Sequence, residues 1–241
     1  MPDPRWRVLA NKLPQGVREP ARTALHKVRN SAPDAVVSPR ITKLGLGRFS
    51  ELGAWLADGC LVPTPDVRKR QVLHEQLVTN PIDVAIETGT LMGDTTEFLA
   101  RHCRRVVTIE LSPELAARAR TRFAGTPAIE VVEGDSGTEL AKVLATVDEP
   151  ALLWLDGHYS GEGTAQGESD CPLLAELEVI EAWPHARRSV VAIDDAIRFG
   201  EDPSYPTLAQ AREYAMRVGW DCFTMQNDII LLHPFPQPTR V

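Results

Sequence analysis

From Asp83 onward, short apolar runs alternate with stretches whose apolar positions recur every three or four residues. Val84-Ala-Ile86, Val106-Val-Thr-Ile109, Ile129–Val132, Ala151-Leu-Leu-Trp-Leu155 and Ser189-Val-Val-Ala-Ile193 have the length and composition of buried strands. Between them, Leu115, Ala116, Ala119 and Phe123 share one helical face, as do Leu140 and Leu144, and Leu173, Leu174, Leu177 and Ile180. Ser112-Pro113-Glu114 reads as a helix start, with a cap, a proline in the first turn and an acid behind it. Pro63-Thr-Pro-Asp66 starts another, predicted from Val67 to about Thr79, and a further helix is predicted over Thr207–Val218. Cys222–Met225 and Ile229–Leu232, joined through Asn227-Asp228, read as a hairpin. Strand–helix alternation predicts an α/β, Rossmann-like, doubly wound sheet of seven strands, mostly parallel, with an antiparallel C-terminal hairpin strand.

The first 62 residues differ in character. They are rich in proline and arginine, with a candidate helix at Glu19–Asn30, and Phe49, Leu52, Trp55 and Leu56 lie at helical spacing. Residues 1–62 are therefore expected to form a basic arm or helical cap, and 63–241 the main domain. Residues 1–50 carry ten Lys/Arg against three Asp/Glu, and the remainder 16 against 30. An acidic body repels phosphate, so nucleic acid is not expected as a substrate; a small-molecule acceptor is. A basic arm on an acidic body makes arm exchange between protomers, and so a homo-oligomer, a further expectation. No apolar run approaches the roughly 18 residues of a membrane span, and the N-terminus lacks the apolar core of a secretory signal. No membrane partner is expected. Four scattered cysteines (Cys60, Cys103, Cys171, Cys222) suggest neither a disulfide framework nor a zinc site, and fit a reducing cytoplasm.

The candidate chemistry lies where the strands stop. The stretch Glu87-Thr-Gly-Thr-Leu-Met-Gly93 joins the first strand to a helix opening on Asp94, Thr95 and Thr96. Its Gly-x-x-x-Gly spacing differs from the Gly-x-Gly-x-x-Gly of dinucleotide binders, which disfavours a nicotinamide cofactor. Five successive strands end in acids: Glu87, Glu110, Asp135, Asp156 and Asp194-Asp195. In a doubly wound sheet these ends form the ligand crevice. Glu110, about twenty residues past the glycine loop, is placed to accept ribose hydroxyls. Asp135 and Ser136 would lie beside an adenine amino group, and Glu87 with the loop beside a charged amino-acid tail. Such a ligand is S-adenosylmethionine.

Glu-Thr-Gly-Thr-x-x-Gly-Asp at 87–94, Ile-Glu-Leu-Ser at 109–112, Glu-Gly-Asp-Ser at 133–136 and Trp-Leu-Asp-Gly-His-Tyr-Ser-Gly at 154–161 resemble the class I S-adenosylmethionine-dependent methyltransferases. More narrowly they resemble a bacterial group tied to glycan and natural-product pathways. The likeness spans about residues 63–232. It implies cofactor contacts from Glu87, Thr88, Gly89, Thr90, Gly93, Thr95, Glu110, Leu111, Ser112, Gly134, Asp135, Ser136 and Asp156. Asp156 with Asp194-Asp195 is also similar to the metal site of catechol and macrolide-sugar O-methyltransferases, implying Mg²⁺ or a similar divalent cation held by oxygen ligands. Such an ion would lower the pKa of an acceptor hydroxyl and position it. Metal-assisted O-methylation is the leading expectation; methyl transfer without a metal, and a non-catalytic cofactor-binding scaffold, are the alternatives. Asp156 and His158 are the candidate catalytic residues, His158 as base because its ordinary pKa lies near neutrality. The glycine-rich 157–170 segment is expected to form a lid over the acceptor.

Overall fold

The computed structural model describes Trp55, residues 64–157 and residues 171–234. Chain contacts divide it into Met1–Leu61 and Val62–Val241. The expected basic arm, the 157–170 lid beyond Gly157, and His158 lie outside the described residues.

Seven strands, β1 (Val84–Thr88), β2 (Arg105–Glu110), β3 (Ile129–Glu133), β4 (Leu152–Leu155), β5 (Val190–Ile193), β6 (Cys222–Gln226) and β7 (Ile229–His233), form one sheet. Their order is β3-β2-β1-β4-β5-β7-β6. β7 runs antiparallel to both β5 and β6, and all other pairings are parallel. The helices are α1 (Asp66–Thr79), α2 (Asp94–Ala100), α3 (Pro113–Phe123), α4 (Ser136–Leu144), α5 (Leu173–Ala182) and α6 (Leu208–Val218). The predicted seven-stranded, mostly parallel sheet with a C-terminal hairpin is the observed one, and strand limits differ from expectation by one residue in most cases.

Alternation along each strand distributes its side chains between two apolar layers. Ile86, Ile109, Leu153, Val191 and Ile230 face one layer, which α4, α5 and α6 complete with Leu140, Leu177 and Tyr214. Ala85, Val106, Trp154, Ala192 and Leu231 face the other, closed by Val72 and Leu73 of α1 and Leu99 of α2. With both faces covered, the central strands read as nearly unbroken apolar runs rather than as alternation.

Local signals set the helix ends. The Ser112 hydroxyl accepts from Leu115 N–H, and the Asp135 carboxylate from Gly137 N–H at 2.8 Å. Thr207 and Gln210 form a reciprocal capping box at the start of α6, which ends on left-handed Gly219. Leu153, wholly buried in the middle of β4, is the most direct probe of this core. Leu153→Ala is expected to lower unfolding free energy by about 2–5 kcal/mol in urea titrations, from lost burial and the cavity left behind.

Candidate active site

The strand order reverses between β1 and β4, since β2 and β3 follow to one side of β1 and β5 lies beyond β4. The C-terminal ends of these two strands therefore open the crevice where ligands bind in such sheets. They are tied together by Asp156 N–H, which donates to the Thr88 carbonyl at 3.1 Å. Gly89 has a φ of +83°, and a Cβ there would come within 2.4 Å of the Asp156 carbonyl oxygen. Glycine is required on both counts. At Gly157, a Cβ would come within 3.2 Å of both the Ser136 and Thr88 hydroxyl oxygens. Bare backbone thus leaves room beside the hydroxyls of Thr88 and Ser136.

Glu110 closes β2 and is buried. One carboxylate oxygen accepts from Leu91 N–H in the glycine loop at 2.8 Å, the other from Ser112 N–H at 2.9 Å. It braces both loops on its side of the crevice, and each oxygen retains a lone pair for a ligand hydroxyl. Gly134, Asp135 and Ser136 follow β3, where Gly134 N–H donates to the Glu110 carbonyl. Leu111, Ser112 and Thr95 are half-buried at the loop–helix junctions, and Thr90 is buried with its hydroxyl 2.6 Å from that of Thr108. Gly93, at φ +81°, closes the glycine loop.

Glu87 departs from its expected place. It lies one residue short of the end of β1 and is 1% exposed, beneath the rim rather than on it. Its carboxylate accepts from the Thr96 hydroxyl at 2.5 Å and the Thr108 hydroxyl at 2.7 Å. Burial pushes its pKa from 4.5 up to about 7, the two hydroxyls working against the rise and the charge of Glu110 adding to it.

The acidic end of the site does not support the metal expectation. Asp156 follows β4 and Asp194 follows β5, side by side because Leu155 pairs with Ile193. Against Asp194 stands a group that the sequence patterns do not single out. Lys69 of α1 places Nζ 2.5 Å from Asp194 Oδ2 and 3.8 Å from Asp195 Oδ1. Asp195, in left-handed conformation at φ +54°, turns its other oxygen to Arg198 Nε at 2.9 Å. Among the described residues no group of three or more His, Cys, Asp or Glu is arranged to hold a metal ion. A divalent ion here would meet a lysine ammonium in contact with one of its ligands, so the residues as arranged do not fit it. Burial pulls the Lys69 pKa down, but the charge and hydrogen bond of Asp194, with Asp156 and Asp195 behind them, raise it above its ordinary value. Asp156 is pushed well up, first by burial and then by Asp194. One spacing signal was available for Lys69: it stands three and four residues before Val72 and Leu73, a cation on the apolar face of α1.

No family model matches the chain. Curated relatives match locally. Ribosomal RNA small subunit methyltransferase A of Geobacter metallireducens is 40% identical over 55 residues, 23% of this chain and 20% of that protein. The dimethyladenosine transferase of Candida glabrata is 32% identical over 89 residues, 36% of this chain and 26% of that protein. The matches thus span only a fifth to a quarter of these relatives. Among solved structures, an O-methyltransferase from Bacillus cereus in complex with SAH superposes with a TM-score of 0.48 at 16% identity, covering 83% of this chain and 92% of that one. The chain has the fold of the class I S-adenosylmethionine-dependent methyltransferases.

For a class I methyltransferase fold with such relatives, the expectation that nucleic acid is excluded as a partner does not stand. Several proteins that carry matching segments are ribosomal RNA methyltransferases. The physical flaw lay in averaging charge over the whole chain. Screening confines a surface charge's reach to about 10 Å, so net charge says little about the face that meets an acceptor. Of membranes, the fold says only that no described helix is long and apolar enough to cross one.

Glu87 gives the site a pH signature. The folded state keeps the Glu87 proton up to about pH 7, whereas the unfolded chain releases it near 4.5. Folding therefore binds a proton between these values, and the Glu87 contribution to stability falls as pH rises through that window. Glu87→Gln is expected to lose this slope in unfolding free energy against pH. At pH above the window it should be more stable than the parent by at most about 3 kcal/mol.

Proposed function

We propose that this chain binds S-adenosylmethionine at the β1–β4 crevice and transfers its methyl group to an acceptor held beside Asp194. The observation that carries this reading is the convergence of Gly89, Glu110, Ser136 and Asp156 at neighbouring strand ends, with backbone where side chains would fill the space. The donor set suits the ligand. Glu110 would accept ribose hydroxyls, Asp135 and Ser136 would flank the adenine, and Thr88 with the Asp156 carboxylate would face the amino-acid end. Thr90, Thr95, Leu111, Ser112 and Gly134 would shape the walls. Bound there, the cofactor supplies a methyl group made electrophilic by its sulfonium. The protein's part is to hold the acceptor in line and keep water out.

The acceptor side favours a group that bears a hydrogen. Asp194 lines a small cavity with Leu155, Cys171, Ile193 and Tyr205, and its Oδ1 has no hydrogen-bond partner among the described residues. That oxygen would accept from a hydroxyl, which makes O-methylation of a small hydroxyl compound the first reading, with Asp156 near the reacting groups and His158 as the candidate base. The ribosomal RNA methyltransferase and dimethyladenosine transferase relatives favour a second, an amino group on an RNA base, which would donate to the same oxygen.

Two measurements test these readings. Calorimetry should detect S-adenosylhomocysteine binding, weakened at least about tenfold in Glu110→Ala, which loses both the ligand's hydroxyl partner and the brace on the glycine loop. Binding of NAD without S-adenosylhomocysteine would overturn the methyltransferase reading. Tritium from labelled S-adenosylmethionine, offered with a cell extract split into small molecules and RNA, should enter a base-stable product in the small-molecule fraction. Label in the RNA fraction would decide for the second reading.

A further inference from the structure

Resting on the methyltransferase reading, we propose that Lys69 is the built-in cation of the acceptor side. Its ammonium holds Asp194 and Asp195 where a divalent ion would otherwise sit, and so positions Asp194 Oδ1 for a neutral, hydrogen-bearing acceptor.

Three observations converge on this role. Lys69 Nζ lies 2.5 Å from Asp194 Oδ2 and 3.8 Å from Asp195 Oδ1, with side-chain exposures of 13%, 4% and 18%. The lysine is fixed from behind, since Val72 and Leu73 on the same face of α1 are wholly buried against the sheet. The third observation is the free oxygen. Asp194 is 4% exposed and lines the cavity, with Oδ2 given to Lys69 and Oδ1 to no described residue.

A salt bridge kept for stability alone would be expected to satisfy both oxygens, because a dry, unpaired acceptor is costly and an apolar pair of the same shape could fill the space as well. An oxygen left free at a cavity wall is instead ready for a ligand donor. The consequence for specificity is chemical. An ammonium engaged by two carboxylates does not coordinate the acceptor oxygen as a metal would. Anionic acceptors, carboxylates or phosphates, would meet Asp194 Oδ1 without a counter-charge and be rejected, while alcohols and amines would be held.

The test uses the full chain and Mn²⁺ as the probe, with free Mn²⁺ followed by electron paramagnetic resonance. Wild type, Lys69→Met and Lys69→Met/Asp194→Asn are compared, with circular dichroism as the check of fold. Removing the ammonium leaves the Asp194 and Asp195 carboxylates around the space it held without a counter-charge, so Lys69→Met is expected to bind Mn²⁺ at least about tenfold more tightly than wild type. The double variant should lose that gain. Should Lys69→Met not fold, Lys69→Gln, which keeps a donor to Asp194 without the charge, takes its place with the same expected gain. Wild type binding Mn²⁺ as tightly as the lysine variant would overturn the proposal, as would a folded lysine variant that gains nothing. S-adenosylhomocysteine binding by wild type is measured separately. Its absence would remove the methyltransferase reading, while the Mn²⁺ comparison would still decide whether Lys69 stands in an ion's place.

Discussion

A parallel sheet covered on both faces has only its edges and its ends left for polar side chains. That constraint organises this molecule. Ile86, Leu153 and Val191 on one face, and Ala85, Trp154 and Ala192 on the other, are all sealed under helices. Charged groups can therefore stand only where the strands stop, and the strands stop together because their register is parallel. Glu110, Asp156 and Asp194 share a rim for that reason. Glu87, one residue too early, shows the rule from the other side. Drawn under the rim, it keeps its place only with two threonine hydroxyls and a carboxyl group that holds its proton to about pH 7.

Gathering carboxylates at one end creates a problem of charge. Asp156, Asp194 and Asp195 lie within electrostatic reach of each other in a poorly solvated place, and each raises the cost of ionising its neighbours. Some cation has to answer them. Here the answer comes from α1, a helix that precedes the sheet in sequence and closes its second face. One element thus supplies Val72 and Leu73 to the core and Lys69 to the carboxylates, so the geometry around Asp194 depends on how α1 packs. Arg198 takes the far oxygen of Asp195, drawing that residue partly out of the cluster.

At the cofactor side the same economy holds with backbone. Gly89 approaches the end of β4 too closely for a Cβ, a Cβ on Gly157 would crowd the Thr88 and Ser136 hydroxyls, and Glu110 fastens the glycine loop through Leu91 N–H while keeping lone pairs for a ligand. The crevice is thereby shaped before any ligand arrives, which lowers the ordering cost of binding.

Much of this was legible in the amino-acid order. Runs such as Ala151–Leu155, the Ser112-Pro113 start and the Asn227-Asp228 turn are local signals, each decided by residues that touch within a few positions. They sufficed for seven strands, for the hairpin at the end and for placing Glu110, Asp156 and Asp194 at strand ends, though not for the burial of Glu87. Which cation would meet those acids was not legible. Lys69 and Asp194 are 125 residues apart, and their contact depends on the angle at which α1 crosses the sheet, a quantity set by packing of side chains from many elements. Strands, helices and the acids that close β2, β4 and β5 follow from the order of residues, because periodicity and turn chemistry act over short distances. The burial of Glu87 and the lysine beside Asp194, where an ion was expected, come from packing, because burial and charge pairing depend on neighbours brought together by folding.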